Sequence, residues 1–210
     1  MTEPFQAEKT DEDIAQHCAY FLPAVALTLG PDNWVFLRKA YKYLALDYQV
    51  SSFLDLYKFF NLYVLKWLKI FFLVLQWKVR KTVASSIYEL ASILGEDIAS
   101  RDLVPIFKGF VRDLDEVRIG ALEHLADFLK FLDSDTRNML LPLLKEFLKT
   151  DNDRNWRYKE ELGEQLRLSI SLFSPVDCLK HLAPLATCLL CDKVAAVRQK
   201  ALQLVSECRK

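Results

Sequence analysis

The strongest constraint on the fold of this chain is a pattern that recurs about every 40 residues. Each copy contains an aspartate, a short polar turn, and then an apolar residue followed directly by arginine. The arginines stand at positions 80, 118, 157 and 198, with spacings of 38, 39 and 41 residues. A period of this length is typical of stacked helical hairpins, because one such hairpin cannot bury its apolar side chains alone.

A proline precedes each turn aspartate by eight or nine residues, at Pro105, Pro142 and Pro184. Proline near the start of a helix begins or bends the helix at modest cost. The apolar residues between proline and aspartate follow helical spacing, and a longer amphipathic run follows each arginine. Each unit is therefore predicted to contain a first helix, a tight turn and a second helix.

The composition favours the same all-α fold class. Only 5 glycines and 7 prolines in 210 residues argue against a β-sandwich, and a hydrophobic content of 52% excludes disorder of the whole chain. The 28 basic residues are balanced by 28 acidic residues. No net field therefore draws the chain to nucleic acid or to an anionic membrane, and we expect no nucleic-acid partner.

Five cysteines, an odd number, and a polar N-terminus predict an intracellular chain with reduced thiols, in the cytoplasm, the nucleus or both. Cys178 and His181, followed by Cys188 and Cys191, have the spacing of zinc ligands. The run Ser174–Asp177 predicts a helix start, which would place residues 178 and 191 about 20 Å apart. One tetrahedral zinc site cannot span that distance. We therefore expect buried structural cysteines, with no metal and no cofactor.

The repeat is interrupted between Asp47 and Arg80. Removing residues 50–76 restores the six-residue distance from aspartate to arginine that later units show. We interpret 50–76 as an insertion that forms an apolar helix, since 19 of its 27 residues are apolar. Packing of this helix over the repeats is favoured, and self-association is the next alternative. Membrane contact through residues 53–75 is not favoured, because lysines inside the run are costly in a bilayer.

The predicted domain organisation is a disordered N-terminus, 1–10, followed by a single repeat domain, 11–210. The units of this domain are a half unit at 11–30 and further units at 33–95 (with the insertion 50–76), 101–132, 136–173 and 175–208. Helices are predicted near 11–29, 33–47, 52–75, 77–94, 101–112, 115–132, 136–149, 154–173, 175–191 and 194–208.

Four runs of the sequence resemble the family of regulatory subunit 1 of serine/threonine-protein phosphatase 4. The runs are DEDIAQHCAY, WKVRKTVASSIYELASILG, DLVPIFKGFVRDLDEVRIGALEHLADFLKFL and TDNDRNWRYKEELGEQL. The resemblance covers nearly the whole chain apart from residues 1–10 and the insertion, and the runs keep their order and spacing. The repeat itself resembles the HEAT repeat, with proline in the first helix and aspartate, then valine and arginine, across the turn.

This resemblance implies an α-solenoid of about four HEAT-type, armadillo-like repeats plus one inserted apolar helix. It also implies a non-catalytic scaffold that binds the phosphatase 4 catalytic subunit or its substrates. The alternative is a HEAT adaptor that has lost phosphatase binding and uses the inserted helix for another protein or a membrane surface. Enzymatic activity is not expected, because no histidine is paired with a nucleophile and base in the sequence.

The residues at the repeated turns are expected to be structural first, joining neighbouring turns through a ladder of charge-assisted hydrogen bonds. They are Asp47, Arg80, Asp113, Arg118, Asp151, Arg157, Asp192 and Arg198. Related scaffolds bind the catalytic subunit through these intra-repeat turns. The resemblance therefore makes the following residues candidates for partner binding: Asp115, Glu116, Asn155, Trp156 and Lys193. Trp156 is either an anchor for the partner or a side chain packed between repeats.

Overall fold

The computed structural model describes residues 4–45, 77–150 and 155–207, with side chains from residue 15 onward except at residue 43. These ranges contain helices, turns and no strands, which confirms the all-α prediction. The insertion 50–76 and the predicted structural residues Asp47 and Asp151 lie outside the described residues. None of the described helices has the length and apolar content that crossing a membrane requires.

The helices are numbered here in chain order. They are α1 (Pro4–Leu29), α2 (Trp34–Ala45), α3 (Trp77–Ser85), α4 (Ile87–Leu94), α5 (Glu96–Ile98), α6 (Val104–Phe110), α7 (Asp115–Leu122), α8 (Leu125–Lys130), α9 (Ser134–Leu140), α10 (Trp156–Ser169), α11 (Pro175–Asp177), α12 (Ala183–Leu190) and α13 (Ala195–Glu207). Short 3₁₀ segments occupy Pro31–Asn33, Leu141–Leu148 and Ile170–Leu172, and π-helical turns occupy Ala99–Leu103 and Cys178–Leu182.

The helices that follow the repeated turns lie side by side in chain order. Helix α3 packs against α7, helices α7 and α8 pack against α10, and α10 packs against α13, while α1 contacts α2, α3 and α4. One continuous apolar core joins these layers. In its centre the rings of Phe107 and Phe128 are stacked with centroids 4.8 Å apart. Sequential contact of this kind is what a helical repeat requires, and a superhelical solenoid stays a prediction.

Helix α1 begins earlier than the sequence predicts. Residues 1–10 were expected to be disordered, whereas the chain is helical from Pro4 onward. Proline suits the first position of a helix, since the amide it lacks would have no helical partner there. The glutamine, alanine, glutamate and lysine that follow are good helix formers. The predicted disorder is therefore wrong from Pro4 onward.

Two glycines end helices at the predicted boundaries between units. Gly30 has a φ of 76° and Gly95 has a φ of 80°, a left-handed region that side chains with a Cβ atom rarely adopt. The Gly30 amide donates to the Ala26 carbonyl, and the Gly95 amide donates to the Ala91 carbonyl. These residues therefore fix where α1 and α4 stop.

Two of the three prolines predicted in the first helices follow π-helical turns, whereas Pro142 lies in the 3₁₀ segment Leu141–Leu148. Pro105 and Pro184 each stand at the second position of a short α-helix, directly after such a turn. The Val104 amide donates to the Ala99 carbonyl, and the Ala183 amide donates to the Cys178 carbonyl, so both bonds span five residues. A wider turn accommodates the proline ring, which would clash with the carbonyl four residues earlier in an α-helix. Because the π-helical turn keeps the chain helical ahead of Pro105, the helix predicted to begin at residue 101 begins at Glu96 instead.

Two predicted second helices are each broken into two. The prediction 77–94 is interrupted at Ser86, and the prediction 115–132 is interrupted after Leu122. At the second break the side chain of Gln165 accepts from the Ala126 amide at 3.0 Å and donates to the Glu123 carbonyl at 2.9 Å. These two hydrogen bonds replace helical backbone bonds that are missing at the break. Gln165, a residue of the next unit, therefore provides partners for backbone groups that the break would leave unpaired.

Helices α3 and α7 approach most closely at Gly120. A Cβ atom at this position would lie 2.8 Å from the Ser85 hydroxyl and 2.9 Å from the Lys81 carbonyl oxygen. The hydroxyl is free to rotate away, whereas the carbonyl belongs to the backbone of the neighbouring helix. Only glycine therefore permits this spacing between the second helices of adjacent units.

We predict that Gly120→Ala lowers the free energy of unfolding by about 1–3 kcal/mol, the usual cost of overpacking. Alanine is otherwise the better helix former by about 1 kcal/mol, so the sign of the change is diagnostic. Urea denaturation measures it. The additional change Ser85→Ala should restore part of the loss, and Ser85→Ala alone should be nearly neutral. A Gly120→Ala variant at least as stable as the parent would contradict this packing.

Candidate functional site

The first predicted ion pair joins α3 to the turn of the next unit. The Arg80 guanidinium donates through Nε to Asp113 Oδ2 at 2.7 Å and through Nη2 to Asp113 Oδ1 at 3.0 Å. Only 5% of the Arg80 side chain and 19% of the Asp113 side chain are exposed. Asp113 Oδ1 also accepts from the Leu114 amide at 2.7 Å. One carboxylate therefore orders its own turn and binds the preceding unit.

Arg118 connects three parts of the molecule. Its Nη1 donates to Asp115 Oδ1 at 3.0 Å, and its Nη2 donates to the Glu146 carbonyl. Its guanidinium carbon lies 5.6 Å from the centre of the buried Tyr158 ring. The Thr150 hydroxyl donates to the other oxygen of Asp115 at 2.6 Å. Asp115, a candidate for partner binding, therefore takes part in structural contacts and is largely buried.

The third pair differs from the prediction. Asp192 forms an ion pair with Lys159, whose Nζ lies 3.1 Å from Oδ2, instead of with Arg157. The exposed Arg157 guanidinium lies over the Trp156 ring, 4.6 Å from its centre. The sequence does contain a signal that favours Lys159 over Arg157 as the partner of Asp192. Lys159 is 33 residues from Asp192, which is also the separation between Arg80 and Asp113. Arg157 is 35 residues from Asp192, two positions too far along the chain.

Arg198 closes its own turn. Its Nη1 donates to the Asp192 carbonyl at 2.9 Å and to the Lys193 carbonyl at 2.8 Å. Asp192 Oδ1 meanwhile accepts from the Val194 amide at 2.9 Å. The last described turn is therefore stabilised by contacts within the turn itself. They come from the exposed Arg198, which has the same position in its unit as Arg80 has in its own.

Sequence reasoning missed a buried aspartate between α2 and the next unit. The Asp102 side chain is fully buried and forms an ion pair with Arg38 at 3.0 Å. It also accepts from Trp34 Nε1 at 3.0 Å and from the Arg101 guanidinium at 3.1 and 3.2 Å. Burial acts to raise the pKa of Asp102, but the hydrogen bonds from Arg101 and Trp34 outweigh it and hold the pKa below its ordinary value.

A second group of charges joins α10 to α13. The Glu164 carboxylate accepts from Arg167 at 2.6 and 3.1 Å and from Lys200 Nζ at 3.1 Å. Arg167 also donates to Glu207 at 3.0 Å. The hydrogen bond from Arg167, with that from Lys200, lowers the pKa of Glu164 from 4.5 to about 2.

The remaining candidates for partner binding fall into two groups. Asn155 caps α10, because its side-chain oxygen accepts from the Tyr158 amide. Trp156 is half-buried against the core, which agrees with packing between repeats, and its role as an anchor for a partner stays a prediction. Glu116 and Lys193 are exposed at their turns. Among the described residues at these turns, Glu116, the Trp156–Arg157 stack and Lys193 therefore offer surface to a partner.

The cysteines and histidines form no metal centre in the described ranges, where no three histidine, cysteine or acidic side chains converge. Cys178 is buried, as predicted, with its sulfur 3.7 Å from the Ile170 carbonyl oxygen. Cys188 and Cys191 are exposed, so the expectation of burial is wrong for them. Helix α12 buries Leu185 and Leu189, whereas Cys188 lies beside this face and Cys191 follows the helix end.

These contacts define an all-α repeat protein in which ion pairs and buried polar side chains connect neighbouring helical hairpins. Comparison with known families matches residues 64–147 to the protein phosphatase 4 regulatory subunit 1 middle domain. The serine/threonine-protein phosphatase 4 regulatory subunits 1 of Homo sapiens and Mus musculus are each 50% identical to this chain over 207 residues. Nearly the whole chain is therefore similar to one part of protein phosphatase 4 regulatory subunit 1.

The comparisons also set the extent of the similarity. The alignments cover 99% of this chain and 19% of the human and mouse relatives, so the chain spans about a fifth of their length. The family match begins inside the segment interpreted as an insertion and includes residues 64–76. This argues against that part of the segment being foreign to the family. The alignments to the human and mouse relatives also run across residues 50–63, and the insertion of 50–76 stays a prediction.

We predict that breaking the Arg80–Asp113 pair destabilises the fold strongly. Arg80→Ala leaves a poorly solvated carboxylate in the turn and should cost about 3–5 kcal/mol of unfolding free energy. Arg80→Lys, which cannot form the two-pronged contact, should cost less. The exposed neighbour Arg112 provides the control, since Arg112→Ala should change stability by no more than about 0.5 kcal/mol. Equal losses for Arg80→Ala and Arg112→Ala in urea titrations would refute the assignment.

We predict that the Glu164 contacts stabilise the protein above pH 4.5 and are lost as the pH falls towards 2. The pKa is lower in the folded chain than in the unfolded chain, so acid favours unfolding. Urea midpoints of the parent and Glu164→Gln, measured between pH 7 and 2, test this. The stability difference should shrink with acid. A difference that stays constant over this range would show that Glu164 titrates normally.

Proposed function

We propose that this chain is a non-catalytic regulatory module that binds a phosphatase catalytic subunit, specifically that of phosphatase 4. The observation that carries the proposal is its 50% identity, along its whole length, to proteins named serine/threonine-protein phosphatase 4 regulatory subunit 1. A repeat array supports this role, because its turns present side chains along one edge while packing holds them in fixed positions. An intracellular location, cytoplasmic and/or nuclear, is part of the same proposal.

The contacts at the turns support binding through Glu116, Trp156 with Arg157, and Lys193. The structural residues beneath them are already paired, so these side chains project from a rigid base. Arg157 lies over the Trp156 ring and holds a large aromatic surface at the turn. Half-buried tryptophans of this kind contribute much of the binding energy at protein interfaces.

The charges at these turns also differ from one end of the proposed surface to the other, which would fix the orientation of a bound partner. Among the residues proposed to bind the partner, the earlier turn supplies the acidic Glu116, whereas later turns supply the basic Arg157 and Lys193. A partner with the opposite order of charges binds in one orientation only, because the reverse orientation places like charges together. Charge complementarity of this kind acts mainly on the association rate and on specificity.

A pull-down of the phosphatase 4 catalytic subunit by the purified full chain tests the proposal. We expect the parent to retain the catalytic subunit and the variant Glu116→Lys with Lys193→Glu to retain at least about tenfold less. The matched control is Glu96→Lys with Lys180→Glu, which reverses two exposed charges away from the turns. Thermal melting of each variant shows that any loss does not reflect unfolding.

Deleting residues 50–76 separates the two functional hypotheses. Retention of the catalytic subunit both with and without this segment supports binding through the repeats. If neither form binds, the phosphatase proposal is wrong and the adaptor hypothesis replaces it. Liposome flotation then tests the membrane version of that hypothesis, which fails if flotation is unchanged by the deletion.

A further inference from the structure

Two accessible cysteines lie at the end of α12, beside the last described turn. Cys188 is in the final turn of the helix, and Cys191 directly follows its last residue. Both thiols are free and exposed, whereas the thiol of Cys178 is buried. Only two leucines separate the pair in the sequence. Accessible thiols at this spacing form the Cys-X-X-Cys arrangement, which interconverts between dithiol and disulfide.

The backbone places these two cysteines on one tight turn. The Cys191 amide donates to the Cys188 carbonyl at 3.2 Å, and the Asp192 amide donates to the Leu189 carbonyl at 3.2 Å. Both hydrogen bonds span three residues, as in a 3₁₀ turn, where side chains three positions apart eclipse each other and the Cα atoms are about 6 Å apart. Disulfides form at Cα separations of about 4.4–6.8 Å. The two thiols are therefore within reach of each other.

Closing a disulfide here requires the turn to move. Cβ atoms three residues apart on a helix are separated by about 5–6 Å, whereas a disulfide holds its Cβ atoms about 3.5–4.5 Å apart. The buried side chains of Leu185 and Leu189 hold α12 against the core. Cys191 is exposed and lies beyond the last helical residue. The movement therefore falls on Cys191 and on Asp192, which follows it.

Asp192 transmits this movement to the turn and to the preceding unit. Its Oδ2 atom lies 3.1 Å from Lys159 Nζ, and its Oδ1 atom accepts from the Val194 amide at 2.9 Å. Its carbonyl accepts from Arg198 at 2.9 Å. A displacement of about 1 Å lengthens such hydrogen bonds beyond their normal range. The state of the two thiols is therefore coupled to the conformation of the turn.

From this arrangement we propose that Cys188 and Cys191 form a reversible disulfide that loosens the turn at Asp192. The oxidant is a small-molecule disulfide of the glutathione class. One protein thiolate attacks a sulfur of glutathione disulfide and releases one glutathione, and the other protein thiolate then displaces the second glutathione from the mixed disulfide. The two protein thiols lose two protons and two electrons, which convert glutathione disulfide into two glutathione thiols. In a reducing compartment such a disulfide is transient and serves as a redox sensor.

The consequence for partner binding rests on the proposed function. Lys193 is one of the side chains proposed to bind the phosphatase subunit, and it directly follows Asp192 in the chain. The contacts of Asp192 hold this turn in the reduced protein, so loosening them frees Lys193 from a fixed position. The oxidised chain therefore binds the catalytic subunit more weakly than the reduced chain.

Peptide mass spectrometry of the full chain tests the disulfide itself. Trypsin cuts after Lys180 and Lys193, and the peptide between them contains Cys188 and Cys191 and no other cysteine. After treatment with glutathione disulfide and alkylation of the remaining thiols, we expect this peptide to be unalkylated and about 2 Da lighter than the dithiol form. Reduced glutathione should reverse the change.

Two cysteine variants control this measurement. Cys191→Ser should retain one glutathione on Cys188, because the thiol that displaces it is missing. Cys18→Ser removes an exposed cysteine on α1 and should leave the result for the tryptic peptide unchanged. Alkylation of both Cys188 and Cys191 in the treated parent, or stable glutathione adducts on both, would overturn the proposal.

Hydrogen exchange measured by NMR tests the effect on the turn without any phosphatase. We expect the Val194 amide, which donates to Asp192 in the reduced chain, to exchange at least about tenfold faster in the oxidised chain. The control is the double variant Cys188→Ser with Cys191→Ser, whose exchange should not respond to glutathione disulfide. Equal exchange in the oxidised and reduced parent would contradict the coupling.

Pull-downs with the reduced and the oxidised chain separate this proposal from that of phosphatase binding. The oxidised parent should retain the catalytic subunit at least about threefold less than the reduced parent. The double serine variant should retain it equally under both conditions. Equal retention by the oxidised and reduced parent would overturn the effect on binding. If the reduced parent does not bind at all, the phosphatase proposal is wrong, and mass spectrometry and hydrogen exchange still decide whether the disulfide forms and loosens the turn.

Discussion

The arrangement of the hairpins depends on an ion pair between a cation in one second helix and an aspartate in the next turn. This contact occurs between Arg80 and Asp113 and again between Lys159 and Asp192. Both pairs span 33 residues. The aspartate also accepts a hydrogen bond from a backbone amide of its own turn and thereby orders that turn. The contact therefore couples the conformation of one hairpin to the position of the previous one. Local folding and stacking therefore stabilise each other.

Apolar packing alone does not specify this stacking, since leucine-rich helices slide with little change in buried area. Buried polar contacts remove that freedom. Asp102 joins α2 to the following unit, and Gln165 bonds to the interrupted backbone between α7 and α8. A shift of one helical turn would leave each of these groups buried and without a partner, which costs more than the contact contributes. The buried polar contacts therefore select one stacking register among the several that apolar packing alone would allow.

Helix positions followed from the sequence because periodicity, proline and glycine act locally. The pair of Asp113 with Arg80 also followed, since the repeat places both residues at corresponding positions. The pairing of Asp192 with Lys159 in place of Arg157 did not follow, because the repeat pattern is defined by residue type, whereas the structure pairs residues that are 33 positions apart. The roles of Asp102 and Gln165 depend on neighbours that are distant in sequence and occur once. Of the candidate partner residues, the sequence located the turns, but only tertiary contacts show that Asp115 faces inward.

The two faces of α3 have different neighbours. On one face, Gly120 lets α7 approach until a Cβ atom would touch the Lys81 backbone. On the other face, Trp77 of α3 and Tyr88 of α4 line a groove beside α1. The ion pair of Arg80 with Asp113 also joins α3 to the next unit. The close approach at Gly120 and this ion pair therefore both attach α3 to the unit that follows it, and neither involves α1.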